Sequence, residues 1–230
     1  MHARLIITAD DYGLREASEP ILDLARASLI DRVAVLARFV SETEAQQLLE
    51  TGVSIDIHLE LTRLLGRGES EGDAFLVRMG NFLWCLLVGK LSRRKVEQEW
   101  REQLDLFQQK FGRLPDGMNS HEHIHFFPPL FRYFLEVAQE YGIGYVRFGS
   151  YDTIGCLRWH AAEKVISCLH RVDRYFWKRA PLTTSEYLVS GDWIDDPVDF
   201  LRQLPAGRTE VVVHPERPQE RVLVRALQQG

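Results

Sequence analysis

The longest stretch of this chain without a formal charge is short, 11 residues from Met79 to Gly89, well under the roughly 20 that a bilayer-spanning helix needs. The N-terminal apolar run reaches Asp10 and Asp11 after only a few residues, too few for the apolar region of a secretory signal. Cysteine is scarce: Cys85, Cys156 and Cys168 form no CxxC pair, and any disulfide would leave one over, so reduced thiols in a cytoplasmic protein are expected. There is no basic excess. Twenty-eight Lys and Arg against 33 Asp and Glu give a net charge of −5 and a pI near 5.9, which offers no footprint for nucleic acid or an anionic membrane. No repeat, low-complexity tract or Gly/Pro/Ser-rich linker divides the chain, so a single domain over residues 1–230 is expected.

What is present is ordinary globular composition, 45% hydrophobic and 27% charged. Short apolar, β-branched runs alternate with helical spacing along the whole length. The strands read as Leu5–Ala9, Val33–Leu36, Val53–His58, Gly117–Ser120, Tyr145–Phe148, Glu186–Val189 and Glu210–His214. Between them lie helical stretches over Glu16–Ser28, Ser41–Glu50, Asn81–Lys90, Ser92–Phe111, Leu130–Tyr141, Leu157–Trp177, Pro197–Leu204 and Glu220–Leu227. Ser41 with Glu44 three residues on has capping-box spacing, and Arg63 to Asp73 reads as a polar loop. This alternation predicts an α/β fold, an irregular (β/α) barrel of about seven parallel strands. A doubly wound open sheet is the alternative, weakened because no Gly-rich phosphate loop follows the first strand.

Chemistry-bearing residues stand where strands stop. Asp10 and Asp11 follow the first strand, His58 ends the third, His121, His123 and His125 follow the fourth, and His214 ends the last. In a parallel barrel all these ends meet on one face. Each also has a bland reading: paired acids cap helices, and a lone strand-end histidine is usually a hydrogen-bonded structural residue. The His-Glu-His-Ile-His run is more specific. Extended, it puts all three imidazoles on one side; helical, it puts His121 and His125 one turn apart. Pro128-Pro129 places the next helix after the run and favours extended or loop geometry for His123. His2, His160 and His170 read as surface or packing residues. A carboxylate with two imidazoles suits zinc or another divalent first-row ion. A second carboxylate and a further histidine could then serve as base and acid in metal-assisted amide or ester hydrolysis.

At these residues the chain resembles the YdjC/ChbG family of carbohydrate deacetylases. The matching stretches are Ile7–Leu14, Ile57–Thr62, Asn119–His125 with Pro128, Tyr145–Arg147 and His214-Pro215, in the family's order and across nearly the whole chain. The resemblance implies a barrel similar to that of polysaccharide deacetylases and removal of N-acetyl groups from amino sugars such as chito-oligosaccharides. It implies one divalent ion, Mg²⁺ or Zn²⁺, held by Asp11, His58 and His121, with Asp10 as base and His214 as acid. His125 and Arg147 are expected to contact substrate. Asn119 departs from the family, which usually has Asp there, and so removes a negative charge beside the metal site.

The expected partner is a small carbohydrate, with no nucleic acid and no membrane; a homodimer is compatible with the sequence. Two other classes compete with the deacetylase: a sugar-binding or regulatory member of the fold that has lost turnover, kept open by Asn119, and a metal-dependent phosphoesterase. The latter is disfavoured because such sites often hold two ions and need more carboxylates.

Overall fold

The computed structural model describes residues 3–66, 75–150 and 161–229. His2, Cys156, His160, most of the expected 63–73 loop and the first residues of the expected 157–177 helix lie outside the described residues.

Six strands are parallel neighbours in one curled sheet: β1 (Ala3–Tyr12), β2 (Arg32–Val35), β3 (Ser54–Leu59), β4 (Gly117–Ser120), β5 (Tyr187–Ser190) and β6 (Gly207–Val213), in the order β4-β3-β2-β1-β6-β5. The helices are α1 (Ser18–Arg26), α2 (Glu42–Leu49), α3 (Thr62–Leu65), α4 (Phe75–Leu87), α5 (Arg93–Phe111), α6 (Pro128–Glu140), α7 (Ala161–Trp177), α8 (Pro197–Arg202) and α9 (Pro218–Gln229). The capping box on α2 is formed: Ser41 Oγ accepts from Glu44 N–H at 3.2 Å and the Glu44 carboxylate accepts from Ser41 N–H at 2.8 Å. Such a cap stabilises a helix by about 1 kcal/mol.

The expected seventh strand, Tyr145–Phe148, is not continuous. The chain from 145 to 150 crosses between the two sheet edges, making isolated bridges to β4 at Met118 and to β5 at Tyr187. Arg147 N–H donates to the Met118 carbonyl at 3.1 Å, and Leu188 N–H donates to the Ser150 carbonyl at 3.0 Å. A segment that must leave one edge and reach the other within six residues cannot keep a full ladder with either, so the barrel closes through bridges rather than a strand. Gly149 lets it come this close to β5: a Cβ there would lie 2.6 Å from the Tyr187 backbone. Two helical boundaries also differ. α3 occupies the start of the expected polar loop, and α4 begins six residues before the expected Asn81 because Phe75 to Gly80 continue its apolar pattern.

The strands divide their residues by the period of two. Ile7, Ala9, Val33, Val35, Ile55, Ile57, Met118, Val211 and Val213 are buried in the apolar core. The alternate positions carry Thr8, Asp10, Arg32, Asp56, His58, Asn119 and Glu210, and these polar groups meet inside the barrel. Arg32 pairs with Asp56 and lies over the Tyr145 ring, while the Tyr145 hydroxyl donates to Glu210 at 2.7 Å. Gly117 makes room for this cluster: a Cβ would lie 2.6 Å from both Arg32 and Asp56 side chains. Among the described residues, no helix is long and apolar enough to cross a membrane, and Cys85 and Cys168 are free thiols.

Candidate active site

Adjacent strand residues normally point to opposite faces, yet Asp10 and Asp11 face the same group of histidines. A bulge does this. The β1–β2 ladder passes from Ala9↔Val33 to Tyr12↔Val35, an extra residue on β1, and Asp11 adopts the left-handed conformation with φ 71°. Gly13, with φ 111°, completes the turn; a Cβ there would lie 2.9 Å from the Val40 backbone nitrogen. Glu122 and His123 are also left-handed, at φ 53° and 52°. Three of the four described non-glycine residues with positive φ therefore sit around one site, where strained backbone characteristically concentrates.

Asp11 is the centre of the constellation. Its Oδ1 lies 3.2 Å from His58 Nε2 and 2.8 Å from His121 Nδ1, and its Oδ2 lies 3.9 Å from His214 Nε2. His58 Nε2 is also 3.9 Å from Asp10 Oδ2. His58 Nδ1 donates to Asn119 Oδ1, which leaves Nε2 with its lone pair toward Asp11. Asp11, His58 and His121 form a group whose donor atoms all lie within 4.8 Å of one another. One carboxylate and two imidazoles, one of them locked in the correct tautomer, fit a divalent first-row ion.

Asp10 is buried and held from below. Arg147 donates to both of its carboxylate oxygens, at 2.7 and 2.8 Å, and to Glu210 Oε1 at 2.8 Å. Burial works against ionisation of Asp10, but the Arg147 guanidinium, with His58 nearby, outweighs it and lowers the carboxyl to about 2. Burial likewise opposes the charged form of Asp11, and His121 reverses it, holding Asp11 well below the usual carboxylate range. His121, despite desolvation, is pushed up to about 9 by Asp11.

His214 stands on the other side. Its backbone N–H donates to Glu220 Oε2 at 2.7 Å, and its Nδ1 lies 3.8 Å from the same oxygen. Burial opposes its charge, but Glu220, Asp11 and Asp10 together push it up to about 9. The side chain is 22% exposed, so it reaches solvent.

The structure thus brings together Asp10, Asp11, His58, His121 and His214. It does not bring His125 or Arg147 to the surface of the site. Both are completely buried. His125 Nε2 donates to the Arg147 carbonyl at 3.0 Å and its Nδ1 accepts from the Ser120 hydroxyl at 2.6 Å, so both ring nitrogens are engaged. The tight turn His121–Phe126 separates the three imidazoles instead of aligning them. Sequence reasoning missed Glu210 and Glu220. Glu210 left a signal, an acid directly preceding Val211-Val212-Val213 in a buried strand, since such a charge is rarely buried unpaired; Glu220 left none.

Compared with known proteins, residues 4–229 match the family model described as YdjC-like protein. A zebrafish (Danio rerio) protein named carbohydrate deacetylase is 31% identical over 153 residues, covering 63% of this chain and 49% of its own length. A chitooligosaccharide deacetylase of Escherichia fergusonii is 29% identical over 147 residues, covering 62% of this chain and 58% of its own length. The match thus spans about half the length of such relatives. Among solved structures, an Enterococcus faecalis protein linked in its description to cellobiose-phosphate cleavage superposes with a TM-score of 0.70 at 16% identity, covering 100% of this chain and 95% of that one. A carbohydrate esterase family 4 pseudoenzyme of Bacillus anthracis gives 0.55 at 10% identity, covering 99% and 60%. At these identities the likeness establishes the fold: an α/β barrel of the polysaccharide deacetylase type.

Proposed function

The chain belongs to the YdjC-like family, and from that premise and the site's geometry we propose that it is a metal-dependent hydrolase removing N-acetyl groups from amino sugars or small oligosaccharides. The observation that carries this reading is the convergence of a carboxylate and two imidazoles on one point, flanked by an ionised carboxylate on one side and a histidine on the other. The names of the relatives supply the substrate class.

Asp11, His58 and His121 would hold the ion, Mg²⁺ or Zn²⁺. When bound, it would supply a Lewis acid that polarises the amide carbonyl and acidifies a water. Asp10, kept ionised by Arg147, takes the proton of the attacking water. His214, kept protonated beside Glu220, gives its proton to the departing amine, which leaves as a neutral amino sugar while acetate is released. Arg147 and His125 act as positioning residues: Arg147 aims Asp10, and His125 ties the turn carrying His121 to the Arg147 backbone. Asn119 performs the orienting job toward His58 with a neutral oxygen, so the substitution of Asp by Asn is compatible with turnover.

Acetate release from N,N′-diacetylchitobiose by the purified chain tests the proposal. Release that stops with chelator and returns with added Zn²⁺ or Mg²⁺ supports it. Tight sugar binding without acetate release by the metal-loaded chain overturns it in favour of a binding protein, and phosphate release from an aryl phosphate favours the esterase.

A further inference from the structure

Helix α4 is apolar on both sides, which a surface helix ordinarily is not. Its inner side packs on the protein: Phe82 lies against Phe127 with ring centroids 4.3 Å apart and planes tilted by 43°, and Cys85 is buried. The opposite side is open to solvent. Val77, Leu83, Trp84, Leu87 and Val88 are all exposed, Trp84 by 62% and Leu87 by 81%. At 100° per residue, Val77, Gly80, Leu83, Trp84, Leu87 and Val88 share one face of the helix. Such a contiguous apolar face marks an interaction surface rather than scattered exposure.

The charge beside it decides the occupant. Residues 75–96 contain five Lys and Arg and no Asp or Glu, in a chain whose net charge is −5. Lys90, Arg94 and Lys95 follow the helix directly, are exposed, and make no ion pair among the described residues. Arg93 is engaged with Glu97 and Glu136, and Glu97 is shared with Arg101. The preceding acids, Glu69, Glu71 and Asp73, come before the other end of the helix in sequence. A second copy of the chain fits less well: a two-fold interface pairs this segment with its own image, and residues 75–96 hold no acid to meet their five cations. An anionic lipid surface takes both parts. Leu and Val enter the acyl boundary, Trp sits at the headgroup level, and Lys and Arg meet the lipid charge.

We propose that the outer face of α4, with Lys90, Arg94 and Lys95, is a peripheral docking surface for an anionic lipid bilayer. The sequence-level expectation of no membrane partner rested on net charge and on the lack of a spanning segment; neither detects a local basic patch beside an apolar helix face. The proposal is independent of the deacetylase reading.

The test is cosedimentation of the whole chain with vesicles of phosphatidylcholine alone or mixed with phosphatidylglycerol. Expected is binding to the mixed vesicles only, weakened by salt, with a blue shift of tryptophan emission that Trp84→Phe diminishes. Lys90→Ser/Arg94→Ser/Lys95→Ser lowers the partition coefficient by roughly a hundredfold, on the scale of about fivefold per cation. Trp84→Ser/Leu87→Ser abolishes binding. All five positions are exposed and outside the catalytic cluster, so acetate release from a small soluble sugar stays unchanged. Absence of binding, or equal binding to both vesicle types, overturns the proposal. So does a dimer in sedimentation equilibrium that Trp84→Ser/Leu87→Ser converts to monomer, which assigns the face to a second copy.

Discussion

Asn119 Oδ1 accepts a 2.5 Å hydrogen bond from His58 Nδ1, and both side chains are buried. The amide oxygen therefore fixes which imidazole nitrogen faces Asp11, as a carboxylate would. The Asn119 Nδ2 has no hydrogen-bond partner among the described residues. Asn119→Leu is expected to weaken metal binding by roughly ten- to a hundredfold, the usual scale for losing a group that orients a ligand. Asn119→Asp strengthens it, because the charged acceptor raises the basicity of His58. Competition with a chromogenic chelator measures both, and identical affinities for wild type and Asn119→Leu would remove the residue from the site.

Asp10→Asn and His214→Ala each lower turnover by about a hundredfold or more, the scale of general acid–base groups, while metal content per chain is retained. The protein keeps Asp10 ionised above about 2 and His214 protonated below about 9, the charge states that the proposed base and acid need at neutral pH. The alkaline limb of kcat is expected to follow His214 and to disappear in His214→Ala. A divalent cation held at Asp11 would repel the imidazolium and move that limb below 9. Loss of metal in His214→Ala would make it a ligand instead.

Arg147 carries a stability prediction with a definite sign. It is buried between Asp10 and Glu210, and removing it leaves two buried carboxylates without their shared cation. Arg147→Met destabilises the fold by about 3–5 kcal/mol at neutral pH, read from urea unfolding. Because the pair depresses the Asp10 carboxyl to about 2, its contribution is complete above the ordinary carboxylate pKa and is lost as pH falls toward 2. The difference between wild type and Arg147→Met therefore narrows in acid.

Asp173 on α7 gives the opposite sign. It is fully buried, neither oxygen has a hydrogen-bond partner among the described residues, and burial raises its carboxyl to about 8. Its proton is bound in the folded chain and released in the unfolded one between about pH 4 and 8, so stability falls as pH rises through that range. Asp173→Asn stays neutral and is expected to raise the melting temperature at pH 8, by a few kcal/mol of stability, and hardly at all at pH 4. Equal effects at the two pH values would show that the carboxyl ionises normally.

The strand ends that carry the site were legible in the sequence because each is a local event: an apolar β-branched run stops and a polar residue follows. Asp10, His58 and His214 could be placed at strand ends in this way, and the parallel order of the strands follows from the alternation with helices. The fates of His125 and Arg147 were not legible. A histidine two residues from another in an extended run belongs on the same side, but Glu122 and His123 take positive φ and turn His125 beneath the site. Arg147, one residue after Val146 in a short apolar stretch, gave no sign that its partners were Asp10 and Glu210, residues 137 and 63 positions away.

The sequence by itself determined the α/β alternation, the residue types at the barrel mouth and their order, because these depend on periodicity and composition within a few neighbours. The tertiary structure decided what those residues face. A single extra residue in β1 turns Asp11 to the side of Asp10, and the closing segment 145–150 bridges both sheet edges and carries Arg147 beneath Asp10. Register, bulges and closure are set by pairing between distant strands, and the energy of that pairing resides in contacts no local window contains.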